Sequence, residues 1–313
     1  MKTTVAKRDP TVTVIIPTRN RAKLVKKAVT SVLNQTFEDL EVVVVDDASD
    51  DNTRQVVKSF DDSRVNYIFL KRRSGPAGAR NTGIKAARGR YIAFIDDDDE
   101  WMAEKLKKQI MKFEMCDRGV GLIYCGYYNM YKDLIVEKKA PQFRGEVFQT
   151  ALRSCPIGSP TPLIRKECFI AVGMFDENLP ACEDWDLWIR ISRCYQFDFV
   201  PEFLAIRYVH GVQLSTDLKR TIAARENILK KYYHELKKHR EILSWHYRRL
   251  GSLNCIAGNY RDGLKYFVDS IVTYPLNGGA YIHLLLFLLS RSLHRRLAYR
   301  YGTRKVGDVT IIS

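Results

Sequence analysis

The first hundred residues alternate between short apolar runs rich in β-branched residues and longer segments with apolar residues at helical spacing. The short runs predict buried strands, because they are bounded by proline, glycine or charged residues. We expect four strands, at residues 11–16, 41–45, 65–70 and 91–95. Because strands that alternate with helices are joined by crossovers, this order predicts an α/β fold with a parallel, doubly wound sheet.

Three helices are predicted between these strands. The first covers residues 24–33, where apolar residues recur on one face, and Asn20 is its predicted N-cap. The second covers residues 52–60. The third covers residues 79–87 and follows a glycine-containing loop at residues 74–78.

The rest of the chain has a weaker pattern, which favours helices and strands in irregular order. A helix is expected to begin near Glu183 and Asp184, because Trp185 and Trp188 share one face with Ile189. The other predicted elements before residue 213 are helices at 103–115 and 145–154 and strands at 121–124, 134–136, 197–200 and 206–209.

Residues 214–313 are predicted to form about four helices, separated by turns that contain glycine. The segment 247–273 has the pattern of one helix-turn-helix unit. This region carries 18 Lys and Arg against 7 Asp and Glu, a net charge of +11 out of +15 for the chain. We therefore expect two domains, residues 1–213 and residues 214–313.

The basic region favours an anionic partner, either nucleic acid or the surface of an anionic membrane. A solvated basic face around a helical bundle that packs on the first domain or forms a homodimer is the alternative. The seven cysteines are scattered and form no CxxC pair, which argues against a disulfide framework and a zinc site. No apolar run reaches the ~18 residues of a membrane-spanning helix, and we expect a cytoplasmic location.

Four consecutive aspartates, Asp96, Asp97, Asp98 and Asp99, follow the fourth predicted strand. Ligands of open α/β sheets bind beyond the carboxyl ends of the strands. Adjacent carboxylates repel one another, so a hard divalent cation such as Mg²⁺ or Mn²⁺ is the expected partner. A solvated acidic turn is the alternative interpretation.

Six blocks of the sequence resemble the motifs of the inverting family 2 glycosyltransferases, in order and in spacing. This resemblance implies the GT-A fold, a Rossmann-like mixed sheet flanked by helices, over residues 11–213. The chain has neither a GxGxxG nor a GxxxxGK[ST] motif. The six blocks are Val14–Asn20, Val45–Thr53, Ala79–Ile84, Ala87–Asp99, Gly173–Glu177 and Glu183–Arg190.

The resemblance implies a role for individual residues of these blocks. The aspartate motif of the family corresponds to Asp96 and Asp98, although the extra aspartates leave its register open by one residue. Asp98 is the implied metal ligand, and His210 is a second candidate whose alternative is a structural histidine. The implied nucleotide-sugar contacts are Pro17, Thr18, Arg19, Asp47, Arg80, Asp96 and Asp97. The alternative for Arg80 is an ion pair with the aspartates at the end of the sheet.

Asp184 corresponds to the general base of the family, which removes the proton of the acceptor hydroxyl. The alternative role of Asp184 is that of a helix cap. The alternative role of Asp47 is that of a helix N-cap or a turn residue. Glu183 and Trp185 are the implied acceptor contacts. A tryptophan ring could stack on a sugar, but at helical spacing at least one of Trp185 and Trp188 is expected in the core.

The expected activity is metal-dependent transfer, with inversion, of a hexose or N-acetylhexosamine from a nucleotide sugar to a glycan or lipid-linked acceptor of surface polysaccharide synthesis. UDP is the expected nucleotide, because the family uses it most, and Mn²⁺ or Mg²⁺ is the expected cofactor. Peripheral contact with an anionic membrane is expected of the basic region. The alternatives are a nucleic-acid-binding protein that uses the basic helices and an inactive glycan-binding scaffold.

Overall fold

The computed structural model describes residues 8–131, 134–209 and 218–290, and the backbone of residues 303–306 and 309–312. The chain divides into two compact units. The first comprises the residues up to Val147 together with Pro156–Glu177 and Leu187–Tyr208, and the second comprises Phe148–Cys155, Asn178–Asp186 and the residues from Val209 onwards. The predicted domain boundary, between residues 213 and 214, lies outside the described residues.

The first unit begins with four strands that alternate with three helices, and all four strands are parallel, as predicted. The first strand is central, because it pairs with the second on one side and with the fourth on the other. The elements are β1 Val12–Thr18, α1 Ala22–Leu33, β2 Leu40–Asp46, α2 Thr53–Lys58, β3 Val65–Phe69, α3 Gly75–Ala86 and β4 Tyr91–Phe94.

The sheet continues beyond β4 in mixed directions. The next elements are β5 Glu100–Trp101, α4 Lys105–Glu114, β6 Val120–Tyr131, β7 Leu134–Lys139, α5 Phe148–Arg153, β8 Leu163–Arg165, α6 Lys166–Val172, α7 Glu183–Ser192 and β9 Gln196–Tyr208. The strand order is β3-β2-β1-β4-β8-β6-β9-β5, and β7 pairs with β6. Strands β8 and β5 pair antiparallel with their neighbours, whereas β6 and β9 are parallel. The result is the expected mixed α/β sheet.

The apolar core of the first unit lies on both faces of this sheet. Successive side chains of a strand point to opposite faces. Val14 of β1 therefore packs in one core cluster together with Val25 of α1, whereas Ile15 packs in the other together with Ile84 of α3. A side chain at Gly83 of α3 would collide with Ile15, so glycine allows this helix to lie directly on β1.

The second unit contains five described helices after Val209: α8 Leu218–Lys231, α9 Tyr233–Lys238, α10 Arg240–Ala257, α11 Tyr260–Thr273 and α12 Gly278–Leu289. Helices α10 and α11 form the predicted helix-turn-helix unit. Gly258 ends α10 with a φ of 86°, a left-handed conformation that favours glycine. A Cβ atom at Gly251 would lie 2.6 Å from the ring of Phe267, which shows how closely the two helices pack. The backbone at residues 303–306 and 309–312 forms an antiparallel pair of strands, β10 Thr303–Val306 and β11 Val309–Ile312.

Three local predictions were wrong. Asn20 does not cap α1: it has a φ of 53°, Arg21 is the N-cap residue, and the Asn20 side chain instead accepts a hydrogen bond from the backbone of Asp50. The loop predicted at residues 74–78 is mostly helix, because α3 begins at Gly75 and proline is favourable in a first helical turn. The strands predicted at 197–200 and 206–209 are one strand, β9. None of the helices described here is both long enough and apolar enough to cross a bilayer.

Candidate active site

The aspartate run lies at the carboxyl edge of the parallel part of the sheet. Strands β1, β2 and β4 run in the same direction, so the residues that follow each strand meet at this edge. These are the turn after Thr18, the acidic turn that begins at Asp46 and the four aspartates after β4. The predicted nucleotide-sugar residues of the first unit are therefore brought to one end of the sheet.

Asp96 is held by a cation and a hydroxyl group. Arg80 of α3 donates a hydrogen bond of 2.6 Å to Asp96 Oδ1, and the Ser159 hydroxyl donates one of 3.3 Å to Oδ2. Burial alone would raise the pKa of Asp96, but Arg80 outweighs it, with help from Arg207 and Ser159, and keeps the pKa below its ordinary value. Asp96 is therefore an anion, and its side chain is 32% exposed.

Asp97 and Asp98 share a second cation, Arg21, which the sequence analysis did not single out. Arg21 Nη1 lies 2.9 Å from Asp97 and 3.0 Å from Asp98. Asp97 also accepts a hydrogen bond of 2.8 Å from the hydroxyl of Thr18, the last residue of β1. Burial, opposed by Arg21 and aided by the charge of Asp98, raises the pKa of Asp97 to about 6.

Asp99 differs from the other three aspartates because, among the described residues, no cationic side chain donates a hydrogen bond to it. It is buried and accepts a hydrogen bond of 3.2 Å from the backbone N–H of Tyr208. Burial, followed by the charges of Asp96 and Asp98, raises the pKa of Asp99 well above its ordinary value. Asp99 is thus a buried, structural carboxyl, whereas Asp96 and Asp98 retain exposed side-chain surface of 32% and 10%.

Asp47 joins the acidic turn after β2 to the start of α3. Its Oδ1 accepts hydrogen bonds from the backbone N–H of Ser74 at 2.6 Å and from the Ser74 hydroxyl at 3.0 Å, and its Oδ2 accepts one from the N–H of Gly75 at 2.9 Å. These bonds satisfy free N–H groups at the first turn of α3. The carboxylate has the capping contacts that were the alternative interpretation, and Oδ2 retains room for a further donor.

Two of the sequence blocks are joined by Asn81 of α3. Its side-chain amide donates to the carbonyl of Phe175 at 2.9 Å and to Glu177 at 2.8 Å, and its oxygen accepts from the N–H of Phe175 at 2.9 Å. The guanidinium of the neighbouring Arg80 lies 5.5 Å from the centre of the Phe175 ring. The segment Gly173–Glu177 therefore buttresses the cation that holds Asp96.

A divalent cation fits the donor set of this edge only in part. Among the residues the structure describes, no three His, Cys, Asp or Glu side chains converge on one point. Asp96 and Asp98 nevertheless supply carboxylate oxygens, and Mg²⁺ is commonly held by one or two carboxylates together with substrate phosphates and water. His210, the second predicted metal ligand, lies outside the described residues.

The predicted base and acceptor contacts lie in the second unit, in the first turn of α7. The helix begins at Glu183, as predicted, and both Glu183 and Asp184 are partly exposed. Oδ1 of Asp184 accepts a hydrogen bond of 2.7 Å from the backbone N–H of Trp185. An anionic carboxylate is favourable at this end of a helix.

The prediction that Trp185 stacks on a sugar does not fit its surroundings. Trp185 is only 2% exposed, its ring is stacked on that of His246, and its N–H donates to the carbonyl of Ala151 at 2.6 Å. Trp188 is likewise buried, in the core of the first unit. Trp185 is therefore a core residue and leaves little surface for a sugar.

Asp186, the third acid of this turn, is fully buried. It accepts a hydrogen bond of 2.6 Å from the Tyr232 hydroxyl and lies 2.7 Å from Lys231 Nζ. Its contacts are therefore those of a structural anchor between α7 and the end of α8.

Comparison with known proteins identifies the family to which these features belong. The sequence profile described as glycosyl transferase family 2 matches residues 13–162. The chain is 36% identical over 186 residues to the Escherichia coli UDP-Glc:alpha-D-GlcNAc-diphosphoundecaprenol beta-1,3-glucosyltransferase WfgD, an alignment that covers 59% of this chain and 71% of that protein. The chain belongs to glycosyl transferase family 2. The aligned share of other similar proteins ranges from 27% to 97% of their length.

Solved structures confirm the fold of this glycosyltransferase. The Staphylococcus aureus TarS 1–349 structure in complex with UDP-GlcNAc matches with a TM-score of 0.64 and 19% identity, over 96% of both chains. A Pyrobaculum calidifontis mannosyltransferase in complex with GDP-Man and Mn²⁺ matches with a TM-score of 0.58 and 19% identity, over 93% of this chain and 84% of that one. The expected GT-A arrangement of a mixed sheet with flanking helices, followed by C-terminal helices, is thus confirmed.

Proposed function

We propose that this glycosyltransferase transfers a sugar from a UDP-sugar, with inversion and with the help of a divalent cation, to a saccharide attached to a lipid diphosphate. The observation that carries the proposal is the pattern at the sheet edge, where Asp96 and Asp98 keep exposed oxygens while Arg21 and Arg80 balance their charge. Such an edge suits a substrate that brings both a diphosphate and its metal ion. The similarity to a structure containing UDP-GlcNAc supports UDP as the nucleotide.

In this proposal the nucleoside lies against the turns after β1 and β2. Pro17 and Thr18 end β1 and Arg19 begins the turn after it. Asp47 is the proposed acceptor for the imide N–H of uracil through Oδ2, which accepts a hydrogen bond of 2.9 Å from the N–H of Gly75. Asp97, fixed by the Thr18 hydroxyl, is close enough to the same turn to bind the ribose.

The diphosphate would bind beside Asp96 and Asp98, with Arg80 and Arg21 as additional cationic partners. Asp98 is the proposed direct metal ligand, with Asp96 as the second carboxylate, and His210 remains a proposed ligand. A bound Mn²⁺ or Mg²⁺ would act as a Lewis acid toward the departing diphosphate. Arg80 is buried and held against Phe175, so its guanidinium is already positioned to bind the diphosphate.

Asp184 is the proposed general base. Direct displacement with inversion needs one carboxylate that accepts the proton of the attacking hydroxyl. Asp184 is partly exposed, whereas Asp186 of the same turn is buried in an ion pair with Lys231. Glu183, also partly exposed, remains a proposed acceptor contact.

The acceptor class is inferred from a relative. The Escherichia coli protein is named for transfer to alpha-D-GlcNAc-diphosphoundecaprenol. We infer an acceptor of the same chemical class here, a sugar diphosphate on a long lipid, within surface polysaccharide synthesis. Turnover with a panel of UDP-, GDP- and dTDP-sugars against a GlcNAc-diphospho-lipid, followed by measurement of released nucleoside diphosphate, tests the proposal. Absence of release with every UDP-sugar would contradict it.

Such an acceptor is embedded in a membrane, and helix α12 has the properties of a membrane contact. Its sequence contains no charged residue, and one face is exposed although it is apolar. At ~1.5 Å per residue a helix of this length cannot cross a hydrocarbon core of ~30 Å, but it can lie in the interface. We infer that the enzyme works as a peripheral protein on the cytoplasmic face of an anionic membrane.

A further inference from the structure

The second unit contains a cluster of four arginines, two of which lie over tryptophan rings. Arg225 of α8 lies 5.3 Å from the ring centre of Trp185 and 6.0 Å from that of Trp245, and Arg153 of α5 lies 5.8 Å from the Trp245 ring. The other two members of this arginine cluster, Arg248 and Arg249, are consecutive residues of α10. The cluster thus draws on three helices that are far apart in sequence.

Part of the cluster is buried without a hydrogen-bond partner. Both Nε and Nη1 of Arg225 are inaccessible to solvent and bond to nothing, and the same is true of Nε of Arg248. Among the described residues, no carboxylate forms an ion pair with Arg153, Arg225 or Arg248. A buried, unsatisfied donor costs about 1–3 kcal/mol, and more when it is charged, so native proteins rarely retain one without a function.

The electrostatics agree with this geometry. Burial, followed by the charges of Arg225 and Arg248, lowers the pKa of Arg249 to about 10. Burial and the neighbouring Arg153 lower the pKa of Arg248 as well. The thiol of Cys182 lies near Arg225 but supplies no counter-charge at neutral pH, because burial raises its pKa to about 12.

We propose that the arginine cluster binds a phosphate-containing anion, and that in the transfer reaction this anion is the diphosphate of the acceptor. A guanidinium group donates paired N–H groups to phosphate oxygens. Several arginines together therefore form a better binding site for a diphosphate than for a single carboxylate. The unpartnered N–H groups of Arg225 and Arg248 would then donate to phosphate oxygens. The flanking tryptophans limit access of water and so strengthen these bonds.

The position of the cluster within the second unit fits an acceptor. Trp185, whose ring contacts Arg225, directly follows Asp184 in the chain. In a sugar diphosphate, the diphosphate and the attacking hydroxyl are carried by the same sugar ring. A cluster that binds the diphosphate close to the first turn of α7 would therefore present the hydroxyl near the proposed base. This assignment rests on the proposed function, whereas anion binding by itself does not.

Calorimetric titration of the full chain with inorganic pyrophosphate in EDTA tests anion binding without any turnover. We expect saturable binding to the wild type and at least a tenfold higher Kd for Arg225→Gln. Lys230→Gln is the matched control, because it removes an exposed positive charge from the same helix, and its Kd should change less than twofold. Absence of pyrophosphate binding would overturn the proposal. Equal Kd values for the wild type and Arg225→Gln would also overturn it, and would mean that pyrophosphate binds at the sheet edge instead.

Folding is controlled in the same experiment. Because Arg225→Gln removes a buried charge that has no partner, its Tm without pyrophosphate should be no lower than that of the wild type. Should this variant fail to fold, Arg248→Gln is titrated in its place, with the same expected rise in Kd. A Tm of Arg225→Gln well below that of the wild type would indicate that the guanidinium is already satisfied, against the proposal.

A kinetic comparison separates an acceptor diphosphate from free phosphate. For a GlcNAc-diphospho-lipid, Arg225→Gln should raise the acceptor KM at least tenfold and leave the KM of the donor sugar within twofold. For the same saccharide on a lipid without phosphate, the variant and the wild type should be equal. An unchanged acceptor KM for Arg225→Gln would overturn the acceptor assignment. If the same variant has nevertheless lost pyrophosphate binding, the cluster binds free phosphate.

Discussion

Arg80 and Asp96 are 16 positions apart in the chain, and their side chains form a hydrogen-bonded ion pair of 2.6 Å between α3 and the end of β4. Arg80 is buried, so its charge acts in a medium of low polarity. The pair places one anion and one cation at the edge where we propose that the diphosphate binds. This relationship suggests that Arg80 contributes to donor affinity rather than only to stability.

Arg80→Gln should therefore raise the Kd for UDP at least tenfold in the presence of Mn²⁺. A charge-assisted hydrogen bond to phosphate contributes about 1.5–3 kcal/mol, which corresponds to a factor of ten or more. Fluorescence titration with a labelled UDP measures the change. Lys85→Gln removes an exposed cation from the same helix and serves as the control, with an unchanged Kd expected.

Removal of the metal should abolish transfer. The leaving diphosphate carries about two negative charges, whereas Arg80 and Arg21 are already paired with the aspartates, so a divalent cation is needed to balance it. We expect no measurable transfer in excess EDTA and recovery on addition of Mn²⁺ or Mg²⁺. Asp98→Asn should weaken metal-dependent UDP binding as well as turnover. Full activity in EDTA would refute the metal dependence, and unchanged binding by Asp98→Asn would move the ligand role to a neighbouring aspartate.

Asp184→Asn should lower kcat by ~10²-fold or more and leave the Kd for the donor nearly unchanged, because the proton of the acceptor is removed only in the transition state. Steady-state kinetics with saturating donor measure this. Glu167→Gln, which removes an exposed acid from the first turn of α6, is the control and should retain most of kcat. A normal kcat for Asp184→Asn would assign Asp184 to helix capping. The product should have the anomeric configuration opposite to that of the donor, which NMR can determine.

The four parallel strands and the position of the aspartates at the end of β4 could be predicted from the sequence, because both depend on local patterns. The apolar run of β4 and the four aspartates after it mark a sheet edge without any knowledge of the tertiary structure. Arg21 could not be assigned in this way. It lies 76 positions from Asp97, and only the pairing of β1 with β4 brings the two together.

The surroundings of α7 could be predicted only in part. Helical spacing placed Trp185 and Trp188 on one face, but it did not reveal what would cover that face. His246 and Ala151, which contact Trp185, come from segments 61 and 34 positions away in the printed sequence. The pairing of Asp186 with Lys231 likewise depends on the packing of helices that are distant in the sequence. The structural role of Asp186 could therefore not be predicted from its own segment.

Stability should decrease between about pH 6.5 and pH 4 because of His246. Burial lowers the pKa of His246 to about 4, despite the hydrogen bond of 2.8 Å to the carbonyl of Leu152, and Arg225 lowers it further. The unfolded chain, with a histidine pKa near 6.5, binds this proton first, so protonation favours unfolding as the pH falls through this interval.

From pH 6.5 to pH 5 the loss due to His246 is about 2 kcal/mol, at ~1.4 kcal/mol per pH unit. Urea denaturation of the wild type and of His246→Gln at pH 7.5 and pH 5 measures it. The variant is expected to be less stable at pH 7.5, where the histidine contacts are lost, but to change less between the two pH values. His234→Gln, at an exposed position, should behave like the wild type. An equal pH dependence of the wild type and His246→Gln would contradict the assignment.

The membrane contact proposed for α12 depends on a face that no described residue covers. Its exposed residues recur at helical spacing and are 45% to 71% accessible: Tyr281, Ile282, Leu285, Leu288 and Leu289. The opposite face packs inward through Ala280 and Phe287. The fifteen residues that follow Ser290 contain six Lys or Arg and no acid.

This arrangement favours an anionic lipid surface over a second copy of the chain. A two-fold dimer would place the same face of each copy against the other, and the two basic segments would then be brought close together and repel one another. On an anionic bilayer the apolar face would enter the interface, and each cation near the surface would add ~1 kcal/mol.

Co-sedimentation with vesicles of phosphatidylglycerol and phosphatidylcholine at 1:3, compared with pure phosphatidylcholine, should show binding to the anionic vesicles only. High salt should release the protein, because screening shortens the range of the attraction. Leu285→Ser combined with Leu288→Ser should reduce binding at least tenfold, since burial of each leucine contributes more than about 1 kcal/mol. Ile170→Ser is the control, because Ile170 is an exposed apolar residue of the first unit, 81% accessible. Equal binding to both vesicle types, or a concentration-dependent dimer lost in the double variant, would contradict the membrane contact.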